Sequence, residues 1–394
     1  MKNIAFDFDQ VIDRSNTNSM KWDEVSKRYN VSKNAVMPMW VADMDFRPPD
    51  SVTEALENET KNHVHGYYGA IETFHEAQKN WFSSRHNWLI DEEWRLLTHG
   101  LLNAISLSIQ SLSSPGDGII VFTPVYYQFM EIIKNNDRSV VESTLKVENN
   151  RFVMDLKSLE KSLSGNEKIV LFCSPHNPGG RVWEPKELEE LAEFCIHNQL
   201  LLISDEVHHD LVMPHKNHII MAKAAPAICE NLITLVSTSK TFNIAGTETG
   251  TMFIPNPDIK EKVAKALLAS GVSTPNRFGM IMSEAAYLGG HKWLDDLIVY
   301  LNTNRVLLNE TITSIPGMSV MDLEATYLGW VNFSATGLSA EEVNARLHKK
   351  GVVPSIGSTF GVGGTSCFRI NIACRHAFLH EAMQRVTEAF SDLQ

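Results

Sequence analysis

Short, uninterrupted apolar runs recur through the middle of the chain. Five of them have the length of a strand: Gly118–Phe122, Lys168–Cys173, Leu200–Ser204, Leu232–Val236 and Thr251–Ile254. Runs without polar alternation are typical of strands in a sheet that is covered on both faces. Helical patterns lie between them, as in residues 185–196, where a proline begins the segment and leucines recur at helical spacing. This alternation predicts an α/β fold with a mostly parallel central sheet.

Beyond about residue 285 the pattern changes. A long mixed helical segment covers roughly residues 283–315, and strand-like runs follow at 329–333, 352–354 and 367–373. Helical patterns occupy residues 338–349 and 376–393. We therefore expect two domains, a large one of residues 49–286 and a smaller α+β one formed by residues 1–48 and 287–394.

Composition narrows the range of partners. The chain has 394 residues, 43% of them hydrophobic, and a formal net charge of -12. It carries no basic stripe, so nucleic acid is not an expected partner. No apolar run has the length of a membrane span, and acidic residues stand among the first nine positions, where a secretory leader would be apolar. The five cysteines form no CxxC pair, which favours buried thiols over disulfides or zinc ligands. We expect a cytoplasmic protein with no membrane partner.

The candidate chemistry lies where three of the predicted strands end. Asn177, Asp205 and Lys240 each come shortly after one of the apolar runs. Ligands of open α/β sheets bind outside the carboxyl ends of the strands, so these side chains are expected near one another. Taken singly, each has a simpler interpretation, since Asn-Pro is an ordinary turn dipeptide and a lysine can extend from a strand end to solvent.

Together, these three side chains are the groups that pyridoxal 5'-phosphate needs. A carboxylate keeps the pyridine nitrogen protonated, a neutral donor polarises the ring oxygen, and a lysine forms the imine and moves a proton. We assign Asp205, Asn177 and Lys240 to these roles. Ser237 and Ser239 precede the lysine closely enough to hydrogen-bond a phosphate.

The chain resembles the aminotransferase class I/II superfamily of fold-type I pyridoxal-phosphate enzymes. Within it, the chain is similar to the cystathionine β-lyase and C–S lyase branch that includes cystalysin. The resemblance runs nearly end to end. Besides the three strand-end motifs, it rests on Trp40-Val-Ala-Asp-Met-Asp-Phe46, Ser239-Lys-Thr-Phe-Asn-Ile-Ala-Gly246, Thr123-Pro-Val-Tyr-Tyr127 and Phe368-Arg-Ile-Asn371. It implies a pyridoxal-phosphate-dependent transferase fold with pyridoxal 5'-phosphate as the cofactor.

The resemblance also implies how the cofactor is held. Tyr126 would stack on the pyridine ring and His208 would lie beside the ring oxygen. Backbone N–H groups of Leu101 and Leu102, at the start of a helix through residue 112, would bind the phosphate. Tyr67 would reach the phosphate of a neighbouring subunit, which implies a homodimer.

For the substrate, the resemblance implies a carboxylate clamp. Arg369 would grip the α-carboxylate of an amino acid through both ends of its fork. Backbone atoms of Val41 and Ala42 would lie close by, and Tyr127 would line the pocket. The chain shows no clear second arginine for a distal carboxylate, so the leaving group stays open.

One position departs from the family pattern. Glu248 follows the lysine turn where many relatives carry an arginine or a neutral amide near the phosphate.

Two other motifs offer rival interpretations. Asp7 and Asp9 resemble the paired aspartates of haloacid-dehalogenase-type phosphatases, but no long strand precedes them. The run His208-His209-Asp210 suggests a metal site, but adjacent histidines point in different directions, so we expect no metal.

The function implied is β-elimination on a small sulfur-containing L-amino acid. Lys240 would act as general base, with Tyr126 as a second catalytic residue, and the products would be a thiol, pyruvate and ammonia. An aminotransferase would use the same residues and differ only in where one proton goes. A regulatory protein that captures a partner is a third, different class of function.

Overall fold

The structure is a computed structural model that describes residues 6–32, 35–214, 216–273 and 275–393. Its strands, in chain order, are β1 (Met37–Met39), β2 (Arg95–Thr98), β3 (Gly118–Thr123), β4 (Ser139–Thr144), β5 (Lys146–Glu148), β6 (Arg151–Val153), β7 (Glu167–Cys173), β8 (Leu201–Asp205), β9 (Leu232–Val236), β10 (Gly250–Phe253), β11 (Ser319–Val320), β12 (Leu328–Asn332), β13 (Val352–Ile356) and β14 (Cys367–Asn371). The strands predicted from apolar runs lie within a few residues of these bounds.

The α-helices alternate with the strands through most of the chain. They are α1 (Met20–Asp23), α2 (Val25–Tyr29), α3 (Asp50–Thr60), α4 (Ile71–His86), α5 (Leu101–Leu112), α6 (Tyr127–Asn135), α7 (Leu156–Ser162), α8 (Pro185–His197), α9 (Met221–Ala224), α10 (Thr238–Thr241), α11 (Pro257–Ala269), α12 (Arg277–Gly289), α13 (His291–Thr313), α14 (Ala340–Lys349) and α15 (His376–Ala389). Polar caps fix several starts: Asn256 caps α11 ahead of Pro257, and Ser339 forms a capping box with Glu342 on α14. None of the helices in the described ranges is both long enough and apolar enough to cross a bilayer.

The larger sheet has the order β2-β10-β9-β8-β7-β3-β4. Its strands run parallel from β4 to β9, and only β10 is antiparallel, to both β9 and β2. Successive residues of the parallel strands enter different cores: Ile119 and Val121 pack on the side of α5 and α6, whereas Ile120 and Phe122 pack on the opposite side. The sheet is thus covered on both faces, and the predicted mostly parallel α/β architecture is confirmed.

The smaller sheet joins both ends of the chain. Its order is β1-β13-β14-β12-β11, and β1 pairs parallel with β13, so that Met37 lies opposite Val352. An N-terminal strand therefore completes a sheet whose other strands come from the last fifth of the chain. The predicted domain limits at residues 48/49 and 286/287 stay a prediction, and residues 1–5, 33–34 and 394 of the smaller domain lie outside the described residues.

The prediction of one helical segment over residues 283–315 is wrong about its continuity. The chain forms two helices, α12 and α13, separated at Gly290. A Cβ on Gly290 would stand 2.2 Å from a ring carbon of Phe242 and 2.4 Å from the carbonyl oxygen of Ala286. The glycine therefore lets the chain turn against the core where a larger residue would collide. Four of the five cysteines are buried as free thiols, as expected of side chains that pack as small hydrophobic groups, and Cys229 is partly buried.

Candidate active site

The three strand-end residues come together because their strands are neighbours. Strands β7, β8 and β9 are adjacent and parallel, with Cys173 opposite Asp205 and Asp205 opposite Leu235. Asp205 is the last residue of β8, while Asn177 and Lys240 each follow the end of a flanking strand by four residues. One edge of the sheet therefore carries all three side chains, as the sequence indicated.

Asp205 is a buried carboxyl group in the middle of this edge. Its Oδ1 atom accepts a hydrogen bond of 3.1 Å from the backbone N–H of Val207. Burial raises the pKa of Asp205 to about 6, against the opposing effects of that N–H and of the Lys240 charge. A cationic partner placed against this carboxylate would restore its ionised form, so the site is suited to a protonated ring nitrogen.

Lys240 lies on the one-turn helix α10, directly after β9. Ser237 caps this helix by accepting a hydrogen bond from the N–H of Ser239 at 3.1 Å. The Lys240 Nζ atom donates to the carbonyl oxygen of Ala42 at 2.9 Å. Burial lowers the pKa of Lys240, Arg369 lowers it further, and the carboxylates of Asp43 and Asp205 partly offset this. The lowered pKa increases the neutral, nucleophilic fraction of the amine.

The carbonyl that receives Lys240 belongs to residues 40–46, here called the arm. Two asparagines hold the arm from either side. Asn243 donates to the carbonyls of Met44 and Phe46 at 3.0 and 2.8 Å, and Asn371 donates to the carbonyls of Val41 and Asp43 at 2.6 Å each. Val41 and Ala42 are thereby fixed at the mouth of the site.

Charged residues near the N-terminus also hold the arm. Arg14 forms an ion pair with Asp43 at 2.8 Å and with Asp45 at 2.7 Å. Lys21, which is buried, pairs with Asp45 at 2.7 Å. Arg14 and Lys21 therefore anchor the segment whose Ala42 carbonyl accepts the hydrogen bond from Lys240.

Tyr327 is a site residue that sequence reasoning missed. Its hydroxyl donates to the same Ala42 carbonyl at 2.9 Å, and its ring centroid is 6.2 Å from that of His208. Burial raises the pKa of Tyr327, so the hydroxyl stays protonated as a donor. No motif marks this tyrosine, which stands just before β12; only the path of the chain brings it to Lys240.

Arg369 projects from β14 of the smaller sheet into the same site. Its guanidinium donates to the Asn177 side-chain oxygen at 3.0 Å, to the Trp40 carbonyl at 2.7 Å and to the Ser355 hydroxyl at 3.2 Å. The guanidinium carbon lies 5.0 Å from the centroid of the Phe360 ring. Burial lowers the pKa of this group. A guanidinium nevertheless stays protonated in proteins.

Tyr126, Tyr127 and His208 add the aromatic part of the site. The rings of Tyr126 and Tyr127 meet edge to face at 5.2 Å, and the Tyr126 hydroxyl bonds to Gln128. His208 is buried, and burial followed by the charges of Lys240 and Arg369 keeps its pKa well below the usual range, so the ring is neutral.

Two buried nitrogens in this region have no hydrogen-bond partner among the residues that the structure describes. They are Nδ1 of His208 and Nε of Arg369. A buried polar atom left unpaired is costly, so such atoms point to a polar ligand. A planar ring with an oxygen substituent, together with a substrate carboxylate, would suit this set of donors.

The start of helix α5 offers an anion site beside these groups. Gly100 precedes the helix with a φ of 75°, and no side chain caps the first turn at Leu101 and Leu102. The Ser237 hydroxyl donates to the backbone carbonyl of Thr249 at 2.6 Å and also bonds to Ser239. These residues fit a phosphate, with one exception: a carboxylate oxygen of Glu248 lies 2.6 Å from the position that a Cβ on Gly100 would occupy.

Tyr67 stands apart from the other predicted residues within one chain. Its side chain is 89% exposed, and its backbone carbonyl accepts a bond of 3.3 Å from Arg277. The contact of Tyr67 with a neighbouring subunit stays a prediction, because it involves a second chain.

The structure separates His208 from the other two residues of the run that suggested a metal. The ligand atoms of His209 and Asp210 lie with one of His86 within 4.8 Å of one another, a spacing that could hold a metal ion. His208 faces the site, whereas His209 turns the other way toward His86 and Asp210. Asp210 already accepts hydrogen bonds from Trp81 at 3.1 Å and Thr241 at 3.1 Å, and contacts His86 at 2.8 Å. The Asp210 carboxylate therefore holds Thr241, the residue after Lys240, through a hydrogen bond.

Comparison with known proteins agrees with this geometry. The family model described as aminotransferase class I and II matches residues 35–386. The chain belongs to the aminotransferase class I and II family. It is 34% identical over 391 residues to cystathionine beta-lyase PatB of Bacillus subtilis, a match that covers 98% of this chain and 100% of the relative.

Solved structures give the same answer. Cystalysin from Treponema denticola, which contains a pyridoxal 5'-phosphate cofactor, superposes with a TM-score of 0.93 at 35% identity, covering 99% of this chain and all of that one. A PLP-bound putative aminotransferase from Clostridium difficile gives a TM-score of 0.94 at 36% identity, covering 98% of this chain and 100% of that one. The predicted fold and the resemblance to the C–S lyase branch of this family are confirmed.

Proposed function

We propose that the protein is a pyridoxal 5'-phosphate-dependent carbon–sulfur β-lyase. Its substrate would be a small L-amino acid with sulfur on the β-carbon, of the cystathionine or cysteine type. The observation that carries the proposal is the setting of Lys240, whose amine has a lowered pKa, bonds to the Ala42 carbonyl and lies within the electrostatic reach of Asp205 and Arg369. The similarity to cystathionine beta-lyase PatB and to cystalysin supports the choice of reaction.

The residues of the site suit the cofactor in complementary ways. Asp205 would hold the ring nitrogen, Asn177 and His208 the ring oxygen, and Tyr126 the ring face. Leu101, Leu102, Ser237 and Ser239 would hold the phosphate. When bound, the cofactor supplies an electron sink for negative charge that develops at the substrate α-carbon.

The chain's own groups then orient and deprotonate the substrate. Arg369 binds the α-carboxylate with the help of its unpaired Nε. Its hydrogen bonds to the Trp40 carbonyl and the Ser355 hydroxyl fix the guanidinium, and so the α-carbon is kept in place. The Lys240 Nζ atom takes the α-proton. The electron pair of that C–H bond becomes the Cα–Cβ double bond as the C–S bond breaks, and the sulfur leaves as a thiolate that takes up a proton. One water then hydrolyses the aminoacrylate to pyruvate and ammonia.

A homodimer is part of this proposal. Arg277 anchors the segment that carries Tyr67 through the Tyr67 carbonyl and through Glu59, at 2.6 Å from its Nε. The Tyr67 side chain is left pointing outward, and Val64 and Leu288 are likewise largely exposed. An anchored backbone with an outward aromatic ring suits a residue that serves a second subunit. We also place the protein in the cytoplasm, in keeping with its free thiols.

The deciding experiment supplies purified protein with cystathionine and no keto acid. A lyase releases pyruvate over many turnovers, whereas an aminotransferase stops after at most one half-turnover per site. The similarity to a solved putative aminotransferase makes the second outcome worth measuring directly. Light scattering at working concentration tests the dimer, which a purely monomeric mass would contradict.

A further inference from the structure

Glu248 is placed against the phosphate end of the site by the pairing of two strands. Strands β2 and β10 run antiparallel with Thr98 opposite Gly250. Continued by two residues beyond the strands, the same register sets Gly100 opposite Glu248. The structure bears this out, because the Glu248 Oε2 atom lies 2.6 Å from the position of a Cβ on Gly100. The side chain therefore points toward the start of helix α5.

The backbone holds Glu248 in this position. It ends a short 3-10 turn in the left-handed region, with φ of 47° and ψ of 51°. The next residue, Thr249, is tied through its carbonyl to the Ser237 hydroxyl at 2.6 Å. Glu248 is thus held, through its neighbour Thr249, next to Ser237 and Ser239 at the start of the Lys240 helix.

A carboxylate and a phosphate would share this helix end. The start of α5 attracts an anion, because its first N–H groups point outward and no side chain caps them. The Glu248 carboxylate already provides one negative charge there, and a phosphate bound to Leu101 and Leu102 would bring up to two more. Like charges a few ångströms apart oppose each other even in water.

We propose that Glu248 weakens the hold of this chain on the phosphate of its cofactor. The cofactor is then retained mainly by the Lys240 linkage and by the contacts to its ring, and it exchanges readily with the free pool. The inference rests on the proposed function, because it takes pyridoxal 5'-phosphate as the ligand. Glu248 also raises the pKa of Lys240, less strongly than Asp43 and Asp205 do, so the test must separate its effect on the phosphate from its effect on the amine.

The test is a binding titration of cofactor-stripped full-length protein with pyridoxal 5'-phosphate. Glu248→Gln keeps the shape of the side chain and removes its charge, so we expect the dissociation constant to fall about tenfold. The difference should shrink in 1 M salt, because Glu248 is exposed to solvent and its field is screened. Glu261→Gln, an exposed glutamate on α11, is the matched control and should leave binding unchanged.

A second arm uses pyridoxal, which has the same ring and aldehyde but no phosphate. Glu248→Gln should change its dissociation constant much less than that of the phosphorylated cofactor, because pyridoxal lacks the phosphate and only the smaller effect of Glu248 on Lys240 remains. Equal affinity of wild type and Glu248→Gln for the phosphorylated cofactor would overturn the inference and leave the proposed function standing. A gain that is equally large with pyridoxal would also overturn it, by assigning the effect to Lys240. Failure of every form to bind either compound would instead refute the proposed function.

Discussion

The Arg369 guanidinium donates to the side-chain oxygen of Asn177 across the two sheets of the protein, at 3.0 Å. Arg369 belongs to the smaller sheet, and Asn177 follows a strand of the larger one. The residue proposed to bind the substrate carboxylate is therefore bonded to a residue proposed to face the cofactor ring. Substrate and cofactor contacts are coupled through one hydrogen bond, so that each site helps to position the other.

Arg369→Lys tests the need for a planar fork at this position. A lysine keeps the positive charge but cannot bond Asn177 and a carboxylate in the same plane. We expect KM to rise and kcat/KM to fall by about 10- to 100-fold, the range for loss of a charge-assisted pair. Steady-state kinetics with cystathionine measure this. Arg47→Lys, at an exposed arginine, is the control and should behave as wild type; an unchanged KM in Arg369→Lys would remove this residue from the substrate site.

Asp205→Asn separates the stability of the protein from its activity. The folded pKa of Asp205 is raised to about 6 from a model-peptide value near 4, so its contribution to stability is present at low pH and is lost as the pH rises through 6. Without cofactor, Asp205→Asn should therefore be more stable than wild type at pH 8, by up to about 3 kcal/mol, and the difference should vanish near pH 4. Urea unfolding at both pH values measures it.

The same substitution should damage the enzyme loaded with cofactor. An amide does not keep the ring nitrogen protonated, so turnover should fall by on the order of 100-fold or more. Activity near that of wild type would show that Asp205 has no role toward the cofactor. Loss of stability at pH 8 would show that its burial does not oppose ionisation.

Tyr327→Phe tests the shared carbonyl of Ala42. With one donor removed, the carbonyl bonds Lys240 more strongly, which favours the charged amine and raises its pKa. The acidic limb of the kcat profile, which reports the enzyme–substrate complex in which Lys240 acts as base, should then move to higher pH. We also expect a loss of stability of about 1 kcal/mol. Tyr300→Phe removes a hydroxyl that bonds Asp9 and His376 instead, so it should cost stability but leave the profile in place. Identical profiles for both variants would contradict this role of Tyr327.

The sheet and the three strand-end residues were predictable because they depend on local sequence. A fully buried strand such as Leu232–Val236 must be apolar along its whole length, and that pattern is visible without a structure. Asp205 and Lys240 then follow from the rule that ligands bind at the carboxyl edge of the sheet. The break at Gly290 was missed although the pair Gly289-Gly290 is a turn signal, because helical patterns continue on both sides of it. The close approach of Phe242, which requires a glycine at this position, is visible only in the structure.

The remaining parts of the site depend on contacts between distant segments. Tyr327 and Lys240 meet at a carbonyl almost two hundred residues before the lysine, and no local pattern records such a meeting. Glu248 was visible as an unusual residue, but its direction follows from the pairing of β2 with β10. Tyr67 is different again, because its proposed partner belongs to another subunit.

The central claim is that Lys240 carries the cofactor, and it can be measured directly. Wild-type protein incubated with pyridoxal 5'-phosphate, reduced with borohydride and digested should yield one labelled peptide, modified at Lys240. Lys240→Ala should give no labelled peptide at that position and no sustained pyruvate release, while the remote Lys79→Ala should match wild type. Labelling of wild type at some other lysine, or sustained lyase turnover in Lys240→Ala, would contradict the account.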